Sequence, residues 1–459
     1  MIQTQPSSAP GIYTRLCSSL LFPLHEHAKH HDSTTRRRAL EQSQWWPPER
    51  IQSHRLERLR QFLRTVASTV PYYEQLFRRS AFDPANVRAL ADLAAIPFLT
   101  KALIRSNTEA LKARGTTGLA RYNTGGSSGE PLVFYVGRDR VSHDVAAKWR
   151  ATRWWGVDIG DPEIVVWGSP IELGAQDWVR SMRDRILRST LLPAFEMSEA
   201  KLDAFVAEIR AARPLMLFGY PSALAHIARH AASRGQALND IGIRVAFVTS
   251  ERLYPEQRDQ IARAFGCRVA NGYGGRDAGF IAHECPAGGM HITAEDIIVE
   301  TVDPDGNPLP PGIAGEIVVT HMATQSFPFI RYRTGDVGVL DEGVCECARG
   351  LPLIKEIQGR TTDFVVAHDG TVMHGLALVY VVRDLPGIAK FKIVQESVDH
   401  TRVLLVVDAD FDRAIAQKIR TGMAQRLGSG VRIEVEFVDD IPPEASGKYR
   451  YVISKAIAT

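Results

Sequence analysis

The sequence predicts an α/β protein with a large N-terminal domain and a small C-terminal α+β domain. Short runs of β-branched or aromatic residues alternate with longer helical patterns up to about residue 270, which is typical of a largely parallel sheet. After residue 290, short strands follow one another between turn signals. The 459 residues are about three times the ~150 of a typical domain, which favours two unequal domains.

The elements are expected in a regular order along the chain. The first long helix has apolar residues at helical spacing and ends before Pro71; they are Leu56, Leu59, Leu63 and Val66. The alternating region is predicted to contain strands Ile164–Trp167, Met216–Phe218 and Ile243–Val248 and helices Glu199–Ala212 and Pro255–Phe265. This order predicts neighbouring parallel strands covered by helices.

The remaining part of the chain has a different pattern. Strands Ile297–Val302, Gly315–Thr320 and Asp336–Leu340 favour an antiparallel or barrel-like piece. Beyond Gly359-Arg360, strands Val403–Val407 and Ile433–Phe437 and helix Ala414–Leu427 predict a small α+β unit. We therefore expect an N-terminal arm over residues 1–50, a large domain over 51–359 and a small domain over 360–459.

Charge and composition exclude several classes of protein. With 55 basic and 52 acidic residues, the net charge of +3 gives the whole chain no bulk electrostatic reason to bind nucleic acid or an anionic membrane. Five cysteines do not suggest a disulfide framework, so we expect a reduced, cytoplasmic protein. The longest apolar run, Leu16–Leu24, is interrupted by Pro23, so we expect neither a membrane span nor a signal peptide. The histidine-rich arm around it is expected to be polar and solvated.

A glycine- and hydroxyl-rich segment is the first candidate for chemistry. It reads Tyr122-Asn-Thr-Gly-Gly-Ser-Ser-Gly-Glu-Pro131, and its backbone and hydroxyls could donate to a polyphosphate. Because no Lys-Ser/Thr follows Gly129, it is not a Walker A loop. The alternative is an ordinary turn before the strand Leu132–Val136.

Four further motifs follow it. They are Asn271-Gly-Tyr-Gly-Gly-Arg-Asp277, Arg331-Tyr-Arg-Thr-Gly-Asp336, Gly359-Arg-Thr-Thr-Asp363 and Pro442-Pro-Glu-Ala-Ser-Gly-Lys-Tyr-Arg450. Asp277 is an oxygen ligand of the kind that Mg²⁺ prefers, Asp336 is suited to accept both hydroxyls of a ribose, and Lys448 is presented by a loop. Each motif taken alone indicates a turn or a surface charge.

The order of the five motifs resembles that of the adenylate-forming superfamily, and within it the phenylacetate–CoA ligase branch with its capsule and secondary-metabolite relatives. The resemblance extends from about Pro97 to Lys448. It implies mixed sheets flanked by helices plus a small β-barrel-like piece, and a small mobile C-terminal lid. It also implies an ATP-dependent, AMP-forming carboxylic acid–thiol ligase that uses Mg²⁺ and favours an aromatic acid.

The resemblance also implies a role for particular residues. Thr124, Gly126, Ser127, Ser128 and Gly129 would hold the ATP phosphates, and Ser250, Glu251, Asn271, Gly272, Tyr273 and Gly274 would form the adenine pocket. Asp277 would bind Mg²⁺, Asp336 the ribose and Arg360 the nucleotide, while Lys448 would assist adenylation with Arg360 and Thr124. The sequence departs from the family at Gly125, where Ser or Thr is usual, at Glu130, where Lys is common, and at Arg276-Asp277, where Ser/Thr-Glu is usual.

The acyl substrate and its acceptor are less well defined. The segment containing Phe218, Tyr220 and Pro221 is characteristic of the branch and would line an aromatic pocket, although aromatic residues in an α/β core commonly serve only packing. The acceptor is expected to be coenzyme A. The alternatives are an acyl carrier protein, an amine or hydroxyl acceptor, and a nucleotide-binding regulatory or assembly protein without catalysis. A homodimer is compatible with the branch.

Cysteines and histidines cluster late in the large domain. Cys285, His291, Cys345 and Cys347 lie in loop-rich segments within 65 residues, and three Cys with one His suit tetrahedral Zn²⁺. His283 is the substitute fourth ligand. The alternative is a set of incidental buried thiols.

Overall fold

A computed structural model describes residues 11–123, 132–167, 178–194, 197–251, 253–303, 305–357, 364–383, 385–408, 411–441 and 451–456. Within these ranges, no helix combines the length and the apolar character needed to cross a membrane.

The N-terminal segment is helical and partly packed on the large domain, although His27 and His30 of the predicted solvated arm are exposed. It contains helices α1 (Ile12–Leu16), α2 (Phe22–Ala28) and α3 (Ser33–Ser43), with a π-helical turn at Cys17–Leu21 between the first two. Thr14 donates to Asp161 (2.7 Å) and Ser43 donates to Glu295 (2.6 Å), both in buried positions. These partners lie more than 100 residues away in sequence, which is why local polarity predicted exposure.

The predicted first long helix is confirmed. It is α4 (Pro48–Thr69), which buries Leu59, Leu63 and Val66 and is followed by α5 (Pro71–Arg79). Pro48 at the first helical position fits the helix, since its missing N–H would have no intrahelical partner there. Next along the chain are α6 (Lys101–Ser106), the antiparallel hairpin β1 (Ala120–Asn123) and β2 (Val133–Val136), and α7 (Arg138–Trp154).

A parallel sheet forms the next part of the large domain, as predicted. Its strands are β3 (Glu163–Trp167), β4 (Ser189–Pro193), β5 (Met216–Gly219), β6 (Val245–Thr249) and β7 (Arg268–Gly275), in the order β4-β3-β5-β6-β7. The intervening helices are α8 (Trp178–Ile186), α9 (Glu199–Ala212), α10 (Pro221–Ser233) and α11 (Pro255–Phe265). All five residues of β6 are buried, as expected for a central strand with both faces covered.

The antiparallel strands continue the same sheet and do not form a separate barrel-like piece. They are β8 (Gly279–Glu284), β9 (Met290–Ile292), β10 (Ile297–Val302), β11 (Ala314–His321), β12 (Phe329–Asp341) and β13 (Leu353–Ile357). The eleven-stranded order is β10-β11-β12-β13-β9-β8-β7-β6-β5-β3-β4, which leaves two open edges. The halves are continuous because β7 pairs in parallel with β6 and antiparallel with β8.

Strand β12 also corrects a boundary. The strand was expected over Asp336–Leu340, with a glycine turn before the carboxylate, but β12 begins at Phe329 and contains the whole motif. Register shifts in its pairing with β11 accommodate Gly335, whose φ is 79°.

The C-terminal part is the predicted α+β unit. Its elements are β14 (Phe364–Val366), β15 (Val372–His374), α12 (Leu376–Val382), β16 (Ile388–Ser397), β17 (His400–Val407), α13 (Ala414–Leu427), β18 (Arg432–Phe437) and β19 (Val452–Ser454). The sheet order is β18-β17-β16-β19, and α13 connects the parallel strands β17 and β18. Leu405, Ile419 and Met423 are buried in its core.

A buried ion pair attaches the N-terminal helices to the large domain. Arg150 of α7 is fully buried and donates to Glu295 at 2.7 Å, and Ser43 of α3 donates to the same carboxylate. We expect Glu295→Ala to lower the free energy of unfolding by about 3–5 kcal/mol, because it leaves the Arg150 charge buried and unpaired. Urea unfolding followed by tryptophan fluorescence measures this loss.

The matched control is Glu109→Ala, which removes an ion pair with Lys112 whose carboxylate side is 81% exposed. Solvent screens that pair, so its loss should leave the unfolding midpoint nearly unchanged. Equal effects of the two substitutions would show that the buried pair does not anchor the helices.

Candidate active site

Several predicted residues meet at the carboxyl end of the parallel strands. Tyr220 and Pro221 directly follow β5, and Ser250 and Glu251 directly follow β6. Gly272 of β7 pairs with Thr249 at the same edge. Ligands of open α/β sheets bind in the crevice outside this edge, so the position agrees with a binding site.

Direct contacts join two of these segments. The backbone N–H and the hydroxyl of Ser222 both donate to the Glu251 carboxylate. Ser250 has a φ of 74°, a left-handed conformation that is uncommon for a residue with a side chain and that clusters at functional sites. The segment expected to line the acyl pocket therefore contacts the segment expected to bind adenine.

The glycine-rich motif is part of strand β7, and the fold itself requires its glycines. A Cβ on Gly274 would lie 2.2 Å from the carbonyl oxygen of Gly279, and one on Gly272 would lie 2.9 Å from the ring of Phe247. Since real Cβ atoms do not approach so closely, only glycine allows β7 to lie against β8 and β6 here. The glycines of this motif therefore allow β7 to approach its neighbouring strands closely.

Two carboxylates each accept a hydrogen bond from a tyrosine of a different strand. Tyr273 of β7 donates to Asp336 at 3.1 Å, while Tyr332 of β12 donates to Asp277 at 2.5 Å. The second oxygen of Asp277 accepts from the N–H of Ala278 at 3.1 Å. Burial, followed by the charge of Asp336, raises the pKa of Tyr273 well above its ordinary value, so its phenol remains a donor.

A buried arginine, which the sequence did not single out, donates hydrogen bonds to the turn that contains Asp277. Arg140 of α7, 2% exposed, donates to the carbonyl oxygens of Asp277 (3.2 Å) and Arg276 (3.3 Å). Its Nε also donates to Asp144 at 2.8 Å. The spacing of Arg140 and Asp144 by four residues predicts an ion pair on one helix face. It does not predict that the helix buries this face.

Two buried histidines complete the support around Asp144. His143 Nδ1 lies 3.5 Å and His321 Nε2 lies 3.7 Å from Asp144 Oδ1. Burial lowers the pKa of His321 to about 3, so its ring is neutral at neutral pH. Burial opposes the ionisation of Asp144, but Arg140 and the two histidines hold its pKa well below the ordinary value. The carboxylate therefore stays charged and holds Arg140 in place.

Aromatic side chains line the predicted acyl segment. The rings of Trp167 and Tyr220 stack at a centroid distance of 4.4 Å, and Trp167 lies 6.0 Å from Phe218. Phe218 is buried and packs against Phe247, so this residue belongs to the hydrophobic core and does not line a pocket. Tyr220 is partly exposed, which leaves its stack with Trp167 available to line a pocket.

The predicted phosphate and domain-junction residues lie outside the described part of the chain. They are Thr124, Gly126, Ser127, Ser128, Gly129, Arg360 and Lys448. The hairpin β1–β2 flanks the first five, with Asn123 paired to Val133. Their roles stay predictions.

A second cluster brings together the predicted cysteines and histidine. The ligand atoms of Cys285, His291, Cys345 and Cys347 all lie within 4.8 Å of one another. Cys285 Sγ is 3.6 Å from Cys345 Sγ, and Cys347 Sγ is 3.2 Å from His291 Nε2. His283 lies outside this cluster: its ring stacks on Phe280, and neither ring nitrogen has a hydrogen-bond partner among the described residues.

Comparison with known proteins agrees with this architecture. Residues 189–324 match the family of AMP-binding enzymes, and residues 365–455 match the CapK C-terminal domain. Protein CapK of Staphylococcus aureus is 24% identical over 402 residues, 87% of this chain and 88% of the relative. Phenylacetate-coenzyme A ligase of Thermus thermophilus is 27% identical over 386 residues, 81% of this chain and 85% of the relative.

A solved structure has the same fold. The structure of 2-hydroxyisobutyryl-CoA ligase in complex with 2-HIB-AMP and CoA, in its thioesterification state, has a TM-score of 0.64 at 21% identity and covers 90% of this chain and 91% of that chain.

The fold and the sequence matches are those of adenylate-forming enzymes. Among them, the chain is similar to CapK and to the phenylacetate–CoA ligases.

The support of the Asp277 turn by Arg140 can be tested with ATP and Mg²⁺ as the probe. Arg140→Lys keeps a positive charge opposite Asp144 but loses the planar set of donors that reaches both carbonyl groups. We expect the dissociation constant of Mg-ATP to rise by about five- to thirtyfold, since one or two hydrogen bonds are lost and each costs about 1 kcal/mol. Isothermal titration calorimetry measures the change.

Arg78→Lys on α5 is the control, because its side chain is 76% exposed. An unchanged dissociation constant in a folded Arg140→Lys variant would mean that the turn keeps its conformation without the arginine.

Proposed function

We propose that the chain is an ATP-dependent, AMP-forming acid–thiol ligase. It activates a carboxylic acid, preferably an aromatic one, as an acyl-adenylate and then transfers the acyl group to coenzyme A. The observation that carries the proposal is the pair of tyrosine–aspartate hydrogen bonds, Tyr332–Asp277 and Tyr273–Asp336, in a chain that is similar to adenylate-forming enzymes.

The two carboxylates suit different parts of ATP. Asp336 is half-buried and accepts a hydrogen bond from the Tyr273 phenol, and a carboxylate at this position is suited to accept the ribose hydroxyls. Asp277 is also half-buried, and each of its oxygens accepts one hydrogen bond and keeps further lone pairs. This is the hard oxygen donor that Mg²⁺ takes alongside phosphate oxygens, so the residue fits the ion. Mg²⁺ bound there would neutralise charge on the phosphates.

The proposed chemistry has two steps. An oxygen of the substrate carboxylate forms a bond to the α-phosphorus of ATP, and the bond from that phosphorus to pyrophosphate breaks. The thiol then forms a bond to the acyl carbon, loses its proton to solvent, and AMP leaves. Because both reactants of the first step are anions, the step needs cations and aligned donors. We assign this role to Arg360, Lys448 and the Thr124–Gly129 loop.

The proposed movement of the small domain separates the two steps. Residues 360–459 would rotate about the junction near residues 361–363, which would remove Lys448 and admit the thiol. The reaction consumes ATP and coenzyme A, so we propose a cytoplasmic location.

Two features support the choice of substrate and acceptor. The stacked pair Trp167–Tyr220 presents flat apolar surface beside Glu251 and Ser222, which suits a planar acid. Coenzyme A as acceptor is supported by the relatives named as coenzyme A ligases. A carrier-protein thiol is the second candidate, because residues 365–455 match a CapK domain whose name specifies no acceptor.

Acid-dependent exchange of labelled pyrophosphate into ATP tests adenylation. The panel contains aryl, aryl-acetic, hydroxybenzoic and fatty acids. We expect exchange with one acid class and a loss of about 10²–10³ in rate for Lys448→Ala, since removing one preorganised charged group has this effect. Lys455→Ala is the control, because that lysine lies in the same domain and pairs with Glu396 on the surface.

The acceptor is then compared using coenzyme A and a phosphopantetheinylated carrier protein. Absence of exchange with every acid, in a chain that binds ATP, would favour a nucleotide-binding regulatory or assembly protein without catalysis. An unchanged rate in Lys448→Ala would remove this lysine from the mechanism.

We also propose that Cys285, His291, Cys345 and Cys347 hold a structural Zn²⁺. Zinc–sulfur bonds of about 2.3 Å in a tetrahedron separate two sulfurs by about 3.8 Å. The Cys285–Cys345 distance of 3.6 Å is close to this value. His291 Nδ1 lies 3.4 Å from the carbonyl oxygen of Leu351, which leaves Nε2 directed at the cluster, the usual arrangement of a ligating histidine.

Metal analysis of protein purified without added metal or a metal-affinity tag tests this site. We expect about one zinc per chain. Cys347→Ser should lose the zinc and lower the melting temperature while pyrophosphate exchange persists, because the ion supports folding and not the reaction. Cys267→Ser, at a buried cysteine outside the cluster, should keep the zinc. Metal-free protein with an unchanged melting temperature would contradict the proposal.

A further inference from the structure

The N-terminal helices carry an apolar stripe on their outer side. Ile12, Leu16, Leu20 and Leu24 are 89%, 44%, 49% and 58% exposed. Residues four apart lie on the same side of neighbouring helical turns. Single exposed apolar residues need no explanation, but a contiguous exposed stripe marks a surface that binds something.

The inner side of α1 and the π turn consists mainly of small and polar residues, and Phe22 of α2 is the large apolar residue that is buried. Thr14, Cys17 and Ser18 are buried, and Thr14 donates to Asp161 at 2.7 Å. Cys17 packs against Gly160, where an added Cβ would lie 2.4 Å from the Cys17 Cβ. These contacts fix the rotation of the helix, and they hold the leucines outward.

The π-helical turn at Cys17–Leu21 keeps the stripe straight. In an α-helix, residues four apart drift around the axis by about 40° at each step. In the wider π turn, a step of four residues falls short of a full turn, so the side chains shift around the axis in the opposite direction. This shift offsets the shift in the α-helical turns. Leu16, Leu20 and Leu24 therefore remain on one face despite Pro23.

The end of helix α8 lies beside the N-terminal segment and carries two further exposed apolar side chains. Tyr13 donates to the carbonyl oxygen of Ile186 at 2.8 Å, so α1 and the end of α8 lie side by side. Met182 and Ile186 of α8 are 44% and 40% exposed. We call the surface formed by Ile12, Leu16, Leu20, Leu24, Met182 and Ile186 the apolar face.

The exposed charges around the apolar face are predominantly positive. Arg15 and Lys29 are exposed on the N-terminal segment, and Arg185 and Arg188 are exposed at the end of α8. Among residues 11–32 the acidic side chains are Glu26, which is 4% exposed and accepts a hydrogen bond from Ser33, and Asp32, which is exposed and paired with Arg36. Asp184 is paired with Arg183. An apolar stripe with a basic rim is the pattern of helices that lie in a membrane interface.

We propose that the apolar face docks on an anionic membrane surface, with its leucines at the boundary of headgroups and acyl chains and the basic rim on lipid phosphates. The chain lies on the membrane and does not span it. A second copy of the chain fits less well, because a two-fold contact would place the basic rim against itself. This inference does not depend on the proposed function.

Vesicle flotation with the full chain tests the proposal. The probes are vesicles of phosphatidylcholine alone and of phosphatidylcholine with phosphatidylglycerol. We expect binding to the second kind only, weakened by salt and by Arg15→Gln/Lys29→Gln. Leu16→Ser/Leu20→Ser should weaken binding about tenfold or more, because two large apolar side chains no longer enter the interface.

The control is Ile313→Ser/Val344→Ser, which removes two apolar residues that are 49% and 78% exposed elsewhere on the chain. It should bind vesicles like the unmodified protein. Equal melting temperatures verify that the exposed substitutions leave the fold intact. Failure of the unmodified chain to bind anionic vesicles, or equal binding by the leucine variant, overturns the proposal. A dimer in light scattering that the leucine variant dissociates, without vesicle binding, would assign the face to a second copy.

Discussion

The candidate site depends on the close contact of strand β7 with its two neighbours. Gly272 and Gly274 leave no room for a side chain against Phe247 and Gly279, and this fit lets one strand join a parallel half-sheet to an antiparallel one. The same strand ends in the turn that carries Asp277. A side chain at either glycine would separate the strands and displace the carboxylate, so the constraint that joins the sheet also positions the site.

Helix α7 links this site to the rest of the large domain through two buried arginines. Arg140 holds the turn at Asp277, and Arg150 pairs with Glu295 where the N-terminal helices attach. Buried charges are costly unless they are paired and hydrogen-bonded, and both arginines face a carboxylate. The helix that supports the Asp277 turn is therefore also the helix to which α3 attaches, and the two regions share one rigid element.

Helices and strands whose apolar residues recur at regular spacing could be predicted from the sequence. Elements whose conformation depends on contacts with distant parts of the chain could not. The spacing of Leu59, Leu63 and Val66 identified α4, and the continuous apolar run of β6 identified a central strand. The N-terminal helices were missed because their inner side is largely polar, with Phe22 and Leu40 as its buried large apolar residues. The stretch Arg331–Asp336 was expected to end in a turn, but its pairing with β11 makes it a bulged strand. Glycine allows both conformations, and the partner strand selects one.

The sequence by itself determined the order of the elements and the positions of the glycines, carboxylates, cysteines and histidines along the chain. Tertiary structure alone decided which side chains touch. It placed Tyr273 on Asp336 and Tyr332 on Asp277, brought Arg140 beneath the turn, and directed Leu16 and Leu20 outward. The physical reason is that periodicity and turn chemistry act over a few residues, whereas these contacts join positions far apart in the chain, where packing of whole elements fixes the outcome.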